Sequence, residues 1–338
     1  MRRLAFVVAA AALFLGVGAL TFSSGPSVEA LPSVKRSSLE VTASELQRHA
    51  RVILVTLDGA RWQDVLDQPG ALRSTSEPPA MPKTLELVRQ NGVALSARTS
   101  SAIPLSLPGY QALATGRQTP CTDNDCERVA LETVAEALVR RLPAGSNTAA
   151  IFASWARLAF AATAREGAVL VDAPPRGPPH PNGPPWDDAR WDAETADRAL
   201  AFWRKERPRF MHLALLDMDE FAHRRDVAGT LAALHAADDV ISRLVDEVKA
   251  LPEAERRLTT ILVTADHGRG PGRLWPAHGA YAASRDIFLL AIGDAVAGGE
   301  QPVAQVDVRP TIERLFGLSA EAGEGHAIGA IVGSLPAS

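Results

Sequence analysis

Apolar runs that end in acids set the frame of this chain. The run 51–57, Arg-Val-Ile-Leu-Val-Thr-Leu, stops at Asp58-Gly59, a second over 209–216 stops at Asp217 and Asp219, and a third over 258–265 stops at Asp266-His267-Gly268. Runs of this length without polar alternation predict strands buried on both faces. A fourth run covers 287–293, and shorter strands are predicted at 93–98 and 148–155. Helical patterns fall between the strands: 84–91 closed by Gly92, 131–141, 191–203, the long 227–251, and 307–316 with Pro310 in its first turn. Strand and helix alternate, so the expected class is α/β, a mostly parallel central sheet with helices on both faces.

Two stretches break the alternation. The segment 173–185 holds too much proline for helix or central strand and reads as a surface loop, either a lid or an insertion. Around Ser106, Pro104 and Pro108 restrict the backbone on both sides, and Gly109 permits a close approach. A helix reads on from Gly109, so backbone N–H groups near Ser106 would point at whatever its hydroxyl attacks.

Composition narrows the partners. The 338 residues are 46% hydrophobic and 22% charged with a net charge of -4, which gives no general basic field for nucleic acid. No sequence-specific nucleic-acid partner is expected, and any phosphate binding must be local. Met1-Arg2-Arg3 precedes Leu4 to Leu20 without a charge, so residues 1–30 read as an export signal or an uncleaved membrane anchor, and 31–48 as a linker. The expected location is exported: periplasmic, secreted or anchored facing outward. In that compartment Cys121 and Cys126, the only cysteines, predict a local disulfide. Nothing in the sequence bears on oligomeric state.

Acids at the carboxyl ends of neighbouring strands converge on one rim of an open α/β sheet. Such carboxylates repel unless a cation neutralises them. Histidines complete the set: His223 lies four residues after Asp219, on the same face of a helical turn, His267 follows Asp266, and His278 stands in the loop Ala277-His278-Gly279. Asp217 lacks the i, i+4 relation and is expected to be structural. Six mixed Asp and His ligands with a serine oxygen suit two divalent ions, zinc or manganese rather than calcium.

The ordered set Leu57-Asp58-Gly59, Ser106-Leu-Pro-Gly-Tyr110, Asp219-xxx-His223, Ala265-Asp266-His267-Gly268 and His278-Gly279 resembles the alkaline phosphatase superfamily, most of all its type I phosphodiesterase and nucleotide pyrophosphatase branch. The likeness covers about 51–318 and implies a three-layer metallohydrolase, here a single domain over 49–335. It implies that Asp58, Asp266 and His267 hold one zinc together with Ser106, and that Asp219, His223 and His278 hold the other. Ser106 would attack the phosphorus of a small phosphate ester and pass through a phosphoseryl intermediate. The phosphodiesterase branch often carries an asparagine soon after the nucleophile that holds a phosphate oxygen. Here that place falls on Gly109 or Tyr110, the expected substrate-binding positions, which leaves monoester and diester both open. A sulfatase is disfavoured, because that pattern needs an arginine where Tyr110 stands. Two other readings remain: a membrane-associated phospho-group transferase of the same superfamily, and a non-catalytic metal-binding module. The pocket over the ions is expected from loops around Arg61-Trp62, Trp155, the proline-rich segment and 269–275.

Overall fold

The computed structural model of the protein describes residues 40–74, 76–143, 148–179, 181–321 and 323–338. The expected signal or anchor (1–30) and the first part of the expected linker lie outside the described residues. Eight strands form one sheet: β1 (Arg51–Leu57), β2 (Gly92–Arg98), β3 (Ala149–Ala153), β4 (Leu170–Asp172), β5 (Phe210–Leu215), β6 (Thr259–Thr264), β7 (Asp286–Ile292) and β8 (Val303–Ala304). Their order is β4-β3-β5-β1-β6-β7-β2-β8. Every neighbouring pair is parallel except the two that β7 makes, with β6 and with β2. The expected mostly parallel α/β sheet is therefore what the chain forms.

The apolar runs become central strands because both of their faces are covered. Every residue of β1, β3, β5 and β6 is buried, and a buried Val, Leu or Ile side chain contributes about 1.5–3 kcal/mol. The helix Asp192–Glu206 packs on β3, β5 and the long helix Val227–Lys249, while Val308–Leu315 packs on β1 and on the helices Ser106–Thr115 and Val134–Arg141. The strand β2, further out, alternates buried and open positions. One helix start comes from a distant residue: Asp238 accepts the Lys83 N–H at 3.0 Å and the Thr84 N–H at 2.7 Å, at the beginning of Pro82–Asn91. Among the described residues no helix is long and apolar enough to cross a membrane.

Three details differ from the sequence reading. Residues 43–48 of the expected linker 31–48 belong to the helix Ala43–His49, because Thr42 and Glu45 satisfy each other's backbone N–H groups in a reciprocal cap. Gly92 ends its helix in extended backbone, φ -159°, rather than left-handed. Its lack of a side chain serves instead the contact with the Ala291 carbonyl, where a Cβ would collide. The third is Ser106, which begins its helix; Leu105 occupies the cap position and makes no side-chain cap bond.

Candidate metal centre

The strands that end in acids, β5, β1 and β6, lie side by side. The register pairs Leu57 with Leu215 and Thr56 with Thr264, so Asp58, the Asp217–His223 helix and Asp266 emerge together at one edge. This is the crevice beyond the carboxyl ends of parallel strands. Gly59 turns the chain there with a left-handed φ of +59°, and its N–H donates to Asp266 Oδ1 at 2.9 Å.

Two groups of potential ligands result: Asp58, Asp266 and His267, all buried, and Asp219, His223 and His278, with ligand atoms in each group within 4.8 Å of one another. The Ser106 hydroxyl lies 3.2 Å from both Asp58 Oδ1 and His267 Nε2. The two groups meet where the His267 and His278 rings stack, with centroids 3.9 Å apart and planes inclined by 19°. The residues expected to surround two ions are thus brought together around one serine.

Hydrogen bonds aim the imidazoles. His267 Nδ1 lies 2.9 Å from the Gly268 carbonyl and His278 Nδ1 lies 3.2 Å from the Pro104 carbonyl, so the nitrogen facing each carbonyl carries the proton and Nε2 keeps its lone pair. His223 and His278 then present Nε2 to Nε2 at 3.0 Å, and His223 Nε2 lies 3.1 Å from Asp219 Oδ2.

Electrostatics call for positive charge. Burial, reinforced by the Asp266 and Asp219 carboxylates, raises Asp58 well above the usual carboxylate range, and burial pushes Asp266 up to about 7. Burial also holds His267 down to about 4 and His278 to about 3, so both rings are neutral. Asp58 Oδ2 and Asp266 Oδ2 are buried without a hydrogen-bond partner among the described residues. Orphaned buried carboxylate oxygens facing neutral imidazole nitrogens are the donor chemistry that a divalent cation satisfies. The residues present fit such an ion.

Asp217 belongs to neither ligand group. Its Oδ2 accepts the Asp192 N–H at 3.2 Å, and Asp192 in turn accepts the N–H groups of Leu216 and Asp217, holding the start of the ligand-bearing helix. Burial, with the facing Asp192, pushes Asp217 up to about 8.

The expected substrate-binding positions Gly109 and Tyr110 are both buried on the helix that begins at Ser106. Gly109 packs against the Asp266 backbone, and the buried Tyr110 ring lies 6.3 Å, centroid to centroid, from that of His212. Two arginines expected to line the pocket also turn inward. Arg61 is buried against Asp64 and the Gly70 carbonyl. Arg269, buried, donates to the Gly59, Pro276 and Asp219 carbonyls and to Asp219 Oδ1. Burial would raise Asp219, but Arg269 with His223 and His278 holds it well below the usual range.

Sequence reasoning missed Asn124. Its Oδ1 accepts the Leu107 N–H at 2.9 Å, in the first turn of the Ser106 helix, and among the described residues its amide nitrogen has no partner. The loop that carries it is closed by the expected Cys121–Cys126 disulfide. A polar residue inside a small closed loop was the available signal.

Residues 181–275 match the model of the Metalloenzyme superfamily, a stretch that contains Asp219, His223, Asp266 and His267. Over 107 residues the chain is 36% identical to the phosphopentomutase of Edwardsiella ictaluri (strain 93-146), covering 31% of this chain and 24% of that protein. The chain thus spans about a quarter of the length of the curated relative it matches. Its fold is similar to that of a putative sulfatase from Bacteroides thetaiotaomicron VPI-5482, with TM-score 0.64, 14% identity and coverage of 84% of this chain and 75% of that one. It is also similar to a mutant TAB5 alkaline phosphatase with Mg bound in the M3 site, with TM-score 0.55, 14% identity and coverage of 79% and 98%.

Proposed function

For a chain of alkaline phosphatase-like fold whose metal-motif segment matches the Metalloenzyme superfamily, we propose an exported two-metal hydrolase of phosphate esters with Ser106 as nucleophile. The observation that carries this reading is the Ser106 hydroxyl, buried and 3.2 Å from both Asp58 and His267, at the meeting point of the two ligand groups. In this reading Asp58, Asp266, His267 and Ser106 hold one cation, and Asp219, His223 and His278 hold the other. Zinc suits the mixed nitrogen and oxygen donors best, with manganese next. When bound, the pair supplies positive charge that lowers the hydroxyl pKa and neutralises the entering and leaving oxygens.

The chain's own residues do the rest. Ser106 Oγ bonds to phosphorus as the ester P–O bond breaks, the alcohol leaves with a proton, and water then breaks the Oγ–P bond. Neutral His267 and His278 keep Nε2 directed inward through their carbonyl-bound Nδ1 atoms. The Ser106 N–H and the Asn124 amide nitrogen would bind the non-bridging oxygens, since Pro108 has no N–H and the Leu107 and Gly109 N–H groups are engaged by Asn124 Oδ1 and the Leu105 carbonyl. The Cys121–Cys126 disulfide supports a location outside the cytoplasm. Gly109 and Tyr110 follow Ser106-Leu107-Pro108 with no arginine, which favours phosphate over sulfate.

A second reading, transfer of the phosphoryl group to another hydroxyl, is supported by the stretch shared with a phosphopentomutase. Product analysis with added polyol acceptors separates transfer from hydrolysis. The test of the main reading is release of p-nitrophenol from its phosphate monoester and diester by protein carrying two ions per chain. Ser106→Ala should lower kcat by roughly 10³-fold or more while keeping the ions, and chelation should abolish turnover. Unchanged activity in Ser106→Ala would refute the nucleophile. Two ions with no turnover on either ester would favour a metal-binding module.

A further inference from the structure

The two ligand groups differ in the properties that govern cation binding. Asp58, Asp266 and His267 are fully buried, and their two carboxylates each keep an oxygen without a partner. The other group has one carboxylate and reaches solvent, the His223 side chain being 43% exposed. Both Asp219 oxygens are already engaged, Oδ1 by Arg269 and Oδ2 by His223.

Arg269 cannot swing away. Its Nε–H donates to the Gly59 carbonyl at 3.1 Å, one terminal nitrogen donates to the Pro276 carbonyl at 2.7 Å, and the other to the Asp219 carbonyl at 3.0 Å and to Asp219 Oδ1. The guanidinium therefore stays beside any cation that enters. The first group brings two carboxylates that no lysine or arginine pairs among the described residues, whereas the single carboxylate of the second is already paired with Arg269.

We infer that the two ion positions are unequal: the Asp58, Asp266, His267 position retains its cation, the Asp219, His223, His278 position exchanges it, and the fixed guanidinium of Arg269 sets the difference. This rests on the two-metal reading above. Like charges at close range in a partly exposed protein site repel by more than the equivalent of a tenfold change in affinity. Arg269 is thus a positioning and charge-setting residue that reaches the reaction only through Asp219 and the His278 loop.

Competitive chelator titration of zinc-loaded protein, with metal content measured at each step, tests the inference. Wild type should release its two ions in two steps separated by at least about tenfold. His223→Ala should abolish the weaker step and preserve the tighter one. Arg269→Met should tighten the weaker step by about tenfold or more, while Arg269→Lys, which keeps the charge, should leave it weak. Release of both wild-type ions in one step would overturn the inference, as would loss of the tighter step in His223→Ala or a weaker step unchanged or weakened in Arg269→Met. Where Arg269→Met does not fold, the wild-type and His223→Ala titrations decide. Wild type that binds no zinc would sink the two-metal function itself, a result distinct from two equal ions.

Discussion

Asn124 accepts the Leu107 N–H at 2.9 Å, so a side chain from the Cys121–Cys126 loop sits at the start of the helix that begins with Ser106. Helix N-termini attract anions through their free N–H groups. Under the proposed function, the amide nitrogen of Asn124 adds a donor for a phosphoryl oxygen.

Asn124→Ala is accordingly expected to lower kcat by about 10²-fold, the usual cost of one oxyanion donor, with metal content unchanged. Reduction of the disulfide, or the Cys121→Ser, Cys126→Ser double variant, should move kcat in the same direction. Closing so short a loop stabilises the fold by only about 2 kcal/mol, so the protein should remain folded at room temperature. Steady-state kinetics beside thermal melts check both.

Gly109→Ala should act through the nucleophile. A Cβ at this position would press on the Asp266 carbonyl carbon at 3.0 Å and on its side chain at 3.2 Å, so the helix must shift away from β6. A stability loss of about 1–3 kcal/mol is expected, together with a fall in kcat larger than KM effects can explain, because Ser106 moves with its helix. A melt and a kcat equal to wild type would contradict this contact.

Acid stability should depend on His212. It is buried within the interior strand β5 with Nε2 3.0 Å from Thr56 Oγ1, and burial holds it down to about 3 against an ordinary 6.5. The folded state therefore favours the neutral ring, and stability from this group is present above pH 6.5 and is lost as pH falls toward 3. Between pH 7.5 and pH 5 the loss is about 2 kcal/mol. Urea midpoints over that range should fall more steeply for wild type than for His212→Gln, and parallel profiles would exclude the effect.

Asp238→Ala should leave two helix-start N–H groups, those of Lys83 and Thr84, without their partner. The expected cost is about 2 kcal/mol, with kcat per folded molecule unchanged because Asp238 lies on the Val227–Lys249 helix away from the ligand groups. Denaturant titration and active-site metal content give the two readouts.

Much of the site was legible because its chemistry is written in residue types at strand ends. Asp58, Asp219, Asp266 and the three histidines stand in recognisable local settings, and the structure brings them into two groups. Arg269 was not legible as a partner of Asp219, since a lone arginine in a Gly/Pro-rich loop has no periodic signal and its hydrogen bonds run to carbonyls far along the chain. Asn124 was hidden for the same reason: the backbone group it meets belongs to Leu107, in another segment. The depth at which Gly109 and Tyr110 are buried was hidden as well, since it follows from the packing of the Ser106 helix on the Asp266 backbone.

By itself the sequence determined the elements and the inventory of donors, since a strand covered on both faces must be apolar throughout and a ligand must be an Asp, His or Ser whatever surrounds it. Only the tertiary structure decided that β5, β1 and β6 are neighbours, that β7 runs against them, and that Arg269 bears on Asp219. Strand order and buried charge pairs arise from contacts between segments far apart in the chain. No local pattern encodes which distant segment a residue will meet.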